Sequence, residues 1–207
     1  MKDTKSKLLS TAAKMFARRG MDGVSTRELA KAANVNLCAI SYYFGSKQKL
    51  YEAVIDDLID TIKNSLLCRI ESVNANLSPK DNIKFIIGNF FEYLCSDNIS
   101  DEKAMLMINE TISPTKTYDK IYTEVLEPVH KQISKMVATY LDADEKDTKV
   151  LILTHTLFGQ AVMFRIHKEA LLRRMNIKEY DKQTLQNIRN HIEENCEAIL
   201  EAARRNA

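Results

Sequence analysis

The sequence predicts an all-α protein: an N-terminal three-helix domain containing a helix-turn-helix, followed by a larger helical domain. Three observations predict it. Only 5 Gly and 3 Pro occur in 207 residues, too few for the turns that a strand-rich chain needs. Apolar residues recur three and four apart along most of the chain, the period of a helix with one buried face. Residues 24–50 carry start and stop signals for two short helices across a tight turn, followed by a third helix.

The elements follow in order. Residues from about Thr4 to Arg19 form a first helix with Leu8, Leu9, Ala12, Met15 and Phe16 on one side and Lys5, Lys7, Lys14 and Arg18 on the other. Gly20 ends it, and Asp22-Gly23 turns the chain into Val24. Ser25 caps the next helix, with Glu28 three residues on completing a capping box. Asn34 tolerates the left-handed conformation that closes a helix, and Val35 packs back over the turn. Asn36 caps a second short helix reaching Phe44; Gly45 stops it, and Ser46 caps the third. Two short helices at a tight turn, the second polar and aromatic on its outer face, describe a helix-turn-helix.

A long helix begins at Lys47. Leu50, Val54, Leu58, Ile62, Leu66 and Ile70 recur every four residues, joined by Ile55, Ile59 and Val73, so one rigid element is expected to run past residue 70. Ser78-Pro79 opens the next helix, whose apolar side is Ile83, Ile86, Ile87, Phe90, Phe91 and Leu94. Residues 96–100 read as a loop, and Asp101 to about Thr111 as a short methionine-rich helix closed by Ser113-Pro114. Tyr118 to Leu141 reads as one helix bent by Pro128. The acidic run from Asp142 to Glu145 reads as a helix start, as the helix dipole favours. From Val150 to Ile166 the chain is apolar almost all round, which predicts a central, buried helix. It is too short for the roughly 20 residues of a membrane span and carries His155, Gln160 and Arg165. The last helix places Leu185, Ile188, Ile192 and Ile199 on one stripe.

The net charge of +2 hides an asymmetry. Residues 1–50 hold 10 Lys and Arg against 3 Asp and Glu, a net of +7; residues 51–207 hold 20 against 25, a net of −5. A basic module that meets a polyanion, attached to a body that does not, fits this division. The four cysteines (Cys38, Cys68, Cys95, Cys196) show no metal-ligand spacing, so neither metal nor disulfide is implied. Met1-Lys-Asp-Thr-Lys-Ser-Lys is polar and unlike a signal peptide, which points to a reduced, cytoplasmic protein without membrane contact. No H-E-x-x-H, glycine-rich phosphate loop or nucleophile beside a base supports an enzyme, and no cofactor is expected.

Ser25-Thr-Arg-Glu-Leu-Ala30, the run Ala39-Ile-Ser-Tyr-Tyr-Phe-Gly-Ser-Lys47 and the following Leu50 resemble the DNA-binding domain of TetR-family transcriptional regulators, over roughly Ser6 to Val54. Ile108-Asn-Glu-Thr-Ile-Ser-Pro-Thr115, Tyr122 through Pro128, and Leu157-Phe-Gly-Gln-Ala-Val-Met-Phe-Arg165 are similar to the C-terminal domain of the CecR-type subgroup. The resemblance implies an all-helical homodimer with a DNA-binding domain in residues 1–50 and an effector-binding and dimerisation domain in residues 51–207. It implies a repressor that binds a palindromic double-stranded operator and leaves it when a small molecule binds. The subgroup's link with drug-export genes suggests a target class.

Specific recognition needs phosphate contacts for position and base-edge contacts for sequence. Thr26 and Arg27 stand at the start of the first motif helix, and arginine pairs with guanine O6 and N7 in bidentate fashion. Asn36, Leu37, Cys38, Ala39, Ser41 and Tyr42 face outward if Ile40 and Phe44 face the core; Tyr43 fits a phosphate contact. Lys47 matches the family's phosphate-binding lysine, and Cys38 replaces the small residue, often Pro or Ala, of relatives. In the body, Phe85, Phe90, Met107, Tyr122, His155, Phe158 and Gln160 are the candidate contacts for an apolar or aromatic effector, with His155 or Gln160 as polar anchor. The last two helices are the candidate dimer face, with the stripe Leu185, Ile188, Ile192, Ile199 facing the partner. Two alternatives stay open at this point: a helical interaction module that keeps a non-DNA-binding helix-turn-helix, and, less favoured, an all-α enzyme.

Overall fold

The computed structural model describes residues 2–67, 76–95 and 99–205, with side chains from residue 4 to 65, 76 to 95 and 99 to 205. Every regular element among them is helical: α1 (Lys2–Arg19), α2 (Thr26–Ala32), α3 (Cys38–Phe44), α4 (Lys47–Ile62), α5 (Pro79–Cys95), α6 (Asp101–Ile112), α7 (Tyr118–Ile121), α8 (Glu127–Leu141), α9 (Thr148–Ile166), α10 (Lys168–Met175) and α11 (Lys182–Arg205). The all-α expectation therefore holds. The later stripe positions Leu66, Ile70 and Val73, the thiol Cys68 and residues 96–98 of the expected loop lie outside the described side chains.

The chain divides into two compact units. The first is Met1–Lys63 with Ile99–Val125; the second is Asn64–Asn98 with Leu126–Ala207. All of residues 1–50 fall in the first, which continues through α4 to Lys63 and takes in α6 and α7.

In the first unit α1 packs along both α4 and α6, and α2 and α3 close the motif against them. Leu8, Ala12 and Phe16 of α1 are buried with Leu50, Val54, Leu58 and Ile62 of α4, which is the four-residue repeat read from the sequence. Polar staples tie α6 and α7 to this core. Asn109 donates to the Ala17 carbonyl at 3.0 Å, Lys103 meets the Asp57 carboxylate at 2.7 Å, and Lys120 meets Asp56 at 2.6 Å.

Two π turns interrupt the expected continuous helices. One, Lys63–Leu67, follows α4; the other, Tyr122–Leu126, separates α7 from α8. Pro128 lies in the first turn of α8, immediately after the second. Its missing N–H and ring clash act on the preceding turn, so the bend is met there as a widened turn.

In the second unit α5 is the central helix, contacted by α8, α9 and α11. Ile83, Ile86, Ile87, Phe91 and Tyr93 are buried on it. An ionic ladder joins α5 to α11: Lys80 to Glu197 and Glu201, Lys84 to Glu197, and Arg189 to Glu92, with Glu193 one turn along α11 holding Arg189. Lys80 and then Lys84 hold the Glu197 carboxyl down at about 2.

Three expectations are corrected here. The acidic run 142–145 is a loop, because Asp142 takes the left-handed conformation (φ 55°) that ends α8. Asp147 caps α9 instead, accepting from the Lys149 N–H at 2.7 Å. Helix α9 is half buried rather than central: Val150, Thr154, Leu157, Phe158 and Ala161 face inward, while Leu151, Ile152, Met163 and Ile166 are exposed in the single chain. Finally, the stripe expected to face a partner is mostly internal. Ile188 and Ile192, with Cys196 and Leu200, form the buried face of α11, and Leu185 and Ile199 are half-buried beside them. An amphipathic stripe gives the face that is covered, not the element that covers it.

Candidate nucleic-acid interface

The motif is held by local bonds that the sequence encodes directly. The Ser25 hydroxyl accepts from the Glu28 N–H at 3.2 Å and donates to the Glu28 carboxylate at 2.6 Å, which also accepts the Ser25 N–H at 2.8 Å. The Arg19 guanidinium adds a bond at 2.9 Å from the end of α1. The Ser25 side chain first, then its backbone N–H, then Arg19 hold the Glu28 carboxyl down at about 2. At the other end of α2, Val35 N–H reaches the Ala30 carbonyl at 3.0 Å and Asn34 N–H the Lys31 carbonyl at 3.1 Å, with Asn34 at φ 52°. This is the Schellman closure, and it fixes the angle at which α3 leaves α2.

Helix α3 then presents its outer face. The Asn36 side chain accepts the Cys38 N–H at 2.9 Å from two residues before the helix, while Leu37 stands at the cap position itself without a side-chain bond. Ile40 and Phe44 are buried, so Asn36, Leu37, Cys38, Ser41 and Tyr42 point to solvent, with Ala39 and Tyr43 half-exposed. Tyr42 is 72% exposed and its ring meets Tyr43 edge-on at 4.9 Å. A large aromatic in water at this position has a polar tip and a flat face ready for a partner. Arg27 is exposed at the start of α2, with Thr26 half-buried beside it. Gly45 at φ 81° stops α3, and Ser46 caps α4 by accepting the Lys49 N–H at 3.1 Å.

Lys47 is engaged inside the protein. Its ammonium donates to the carbonyls of Met21 at 3.0 Å and Val24 at 3.1 Å, closing the turn between α1 and α2. Two of its three N–H groups are used inside the protein, leaving one for an outside acceptor.

The candidate effector residues divide between the units. Met107 and Tyr122 lie in the first; Phe85, Phe90, His155, Phe158 and Gln160 lie in the second. In the second unit the structure brings together Phe90 and Phe158, edge-on at 5.2 Å, and stacks His130 on Phe158 at 4.6 Å. Burial, then the neighbouring His155, pushes the His130 imidazole below its ordinary value. His155 itself is exposed, contrary to its expected burial. Gln160 donates to Cys196 Sγ at 3.9 Å, and Phe85 stands apart beneath the Arg189 guanidinium. Burial raises the Cys196 thiol to about 12, and among the described residues no group of three or more His, Cys, Asp or Glu is placed to hold a metal.

The family model of bacterial regulatory proteins of the TetR family matches residues 8–54. A second, for the C-terminal domain of the HTH-type transcriptional dual regulator CecR, matches residues 79–203, more than half the chain. The chain belongs to the TetR family. Relatives within it include the transcriptional dual regulator CecR of Shigella flexneri, 28% identical over 204 residues, covering 95% of this chain and 91% of that protein. The biofilm operon icaADBC negative transcriptional regulator IcaR of Staphylococcus aureus is 23% identical over 138 residues, covering 67% and 69%. Among solved structures, AibR in complex with isovaleryl coenzyme A and operator DNA superposes with a TM-score of 0.68 at 14% identity, covering 92% of this chain and 96% of that one. A putative fatty acid metabolism regulator of Clostridium perfringens gives 0.65 at 20% identity, covering 93% and 97%. These likenesses are likenesses of fold. The protein is a TetR-family transcriptional regulator, and no single helix among its described residues is long and apolar enough to cross a membrane.

One feature of this TetR-family head escaped the sequence reading. Glu110 of α6 is buried at 1% exposure. Its carboxyl accepts from the Tyr51 hydroxyl of α4 and from the Thr115 backbone N–H (3.2 Å) and hydroxyl. Burial first, then this bond, pushes the Tyr51 phenol well above its ordinary value, so the hydroxyl stays a donor. The signal was present: Glu110 follows Leu106 by four residues, a carboxylate continuing an apolar face.

Proposed function

We propose that the protein is a homodimeric repressor that binds a palindromic operator through α2 and α3 and is released by a small-molecule effector. Residues 1–50 are read as the DNA-binding domain and residues 51–207 as the effector-binding and dimerisation domain. The observation that carries the first part is the outer face of α3, where Tyr42 is 72% exposed above a core fixed by Ile40 and Phe44. Arg27 is the proposed base reader, Asn36, Leu37, Cys38, Ala39, Ser41 and Tyr42 line the groove, and Thr26, Tyr43 and the remaining N–H of Lys47 take phosphate. The relative IcaR, named a negative regulator, favours repression, and AibR was solved with operator DNA and an acyl coenzyme A.

The dimer reading rests on α9. Leu151, Ile152, Met163 and Ile166 are exposed at helical spacing, and an apolar face of this kind calls for a covering surface. A second copy of the chain supplies two heads, which the helix-turn-helix geometry requires at about 34–36 Å. For the effector, the aromatic cluster of Phe90, Phe158 and His130 supports an apolar or aromatic ligand in the second unit, with His155 and Gln160 nearby in sequence as polar anchors. The test is operator titration of Arg27→Ala, expected to cost about 1–3 kcal/mol and to relax preference at one base pair per half-site. Unchanged affinity and preference would remove Arg27, and the register of α2, from the interface.

A further inference from the structure

We infer that the open cleft of the first unit, about 900 Å³ between the end of α1 and α6, binds a small lipophilic amine. The site is separate from the effector contacts proposed in the second unit. Its volume is within the range of about 300–1,000 Å³ that takes drug-sized molecules. Charge, a buried acceptor and an apolar rim specify the ligand together.

Four carboxylates line the cleft, those of Asp22, Asp101, Glu102 and Glu110, against the guanidiniums of Arg18 and Arg19. Arg19 is already bonded to Glu28. The surplus of negative charge rejects anions and draws cations. At the floor, the groups donating to Glu110 are the Tyr51 hydroxyl and the Thr115 hydroxyl and N–H, all of them neutral. The donors around this buried carboxylate bring no positive charge, and an ammonium adds one together with its hydrogen bond. At the mouth stand Met105, 45% exposed, and Ile112, 75% exposed. Apolar side chains of this size left in water beside a polar floor provide a seat for a hydrocarbon or aromatic tail. An ammonium on Glu110 takes the acceptor oxygen now used by Tyr51, with the tail lying over Met105 and Ile112.

The site also has a route to the head. Tyr51 is one helical turn beyond Lys47 on α4 and packs edge-on against Phe16 at 5.2 Å. Freeing its hydroxyl loosens the bond between α6 and α4, the helix whose first turn also staples α1 to α2. This consequence rests on the DNA-binding reading; the binding itself does not.

The test uses the full-length protein and dansylcadaverine, a fluorescent primary amine, with the neutral dansyl butylamide as its uncharged counterpart. The amine is expected to bind saturably with enhanced, blue-shifted emission, at least tenfold more tightly than the butylamide. Glu110→Gln is expected to weaken it at least tenfold. Ile112→Arg, at an exposed rim position that does not test folding, is expected to weaken it several-fold by placing positive charge at the mouth. Equal binding of the two dyes, absence of saturable binding, or unchanged affinity in Ile112→Arg overturns the proposal. Operator titration with and without the amine is read separately: amine binding without operator binding leaves the site standing and removes the proposed operator binding, and the reverse pattern does the opposite.

Discussion

Lys47 offers a sharp division between folding and recognition. Its ammonium bridges the Met21 and Val24 carbonyls at 3.0 and 3.1 Å, so Lys47→Met deletes two charge-assisted hydrogen bonds and leaves the turn before α2 unstapled. Bonds of this kind are worth about 1.5–3 kcal/mol each when protected. The side chain is only half-buried and water can replace part of the loss, so about 2–3 kcal/mol for the pair is the expected cost. Urea unfolding of the full-length variant, followed by helical circular dichroism, reads this cost in the absence of DNA. Operator titration between 50 and 200 mM salt reads the other role, since removing one cation from a phosphate lowers the salt slope by roughly one unit. If the ammonium both closes the turn and meets phosphate, the variant shows a clear loss of stability, weaker operator binding and a salt slope lower by roughly one unit. A variant as stable as the parent would remove the staple, and an unchanged slope would remove Lys47 from the phosphate contacts.

Three further outcomes follow from the geometry. Ile152→Asp, on the exposed face of α9, is expected to give folded monomers by light scattering, whereas Ile192→Ala, fully buried on α11, is expected to keep the oligomeric state and lose about 2–5 kcal/mol of stability; the opposite pattern would return the dimer face to α11. Ser25→Ala removes the capping-box hydroxyl and is expected to cost about 1 kcal/mol by thermal or urea unfolding. Glu28 titrates near 2 in the folded head against its ordinary 4.5, so the unfolded chain binds more protons between those values. Its contribution is complete above about 4.5 and disappears as pH falls towards 2; Glu28→Gln is expected to flatten the acid limb of the stability profile in that window, and an unchanged limb would exclude it.

The head was legible because its signals are local. Ser25, Glu28, Asn34, Gly45 and Ser46 each act on backbone within a few residues, and all five do what their types and spacing predict. Long-range partners were not legible from those patterns. The stripe through Ile188 and Ile192 could equally have met a partner chain, and only the placement of α5 shows that it is internal. Helix α9 is the reverse case, where an all-round apolar sequence leaves two faces indistinguishable and one of them is exposed. Asp142 misled because the same residue type starts helices and ends them in the left-handed conformation. Lys47 has a side chain long enough to reach back past Val24, a contact that no pattern within the motif encodes.

In the proposed function, the outer face of α3 reads DNA in a two-headed assembly. The most direct measurement is selection of duplexes from a randomised pool by the full-length protein, followed by fluorescence anisotropy on the enriched sequence and on its scrambled counterpart over a salt series. Such an assembly predicts enrichment of a palindrome with half-sites about 10–10.5 base pairs apart or a multiple of that, and two protomers per site at minimum. It also predicts affinity that falls steeply with salt and is lost in Tyr42→Ala without loss of folding. A pool that enriches no sequence, or an enriched site bound equally well by Tyr42→Ala, would contradict it.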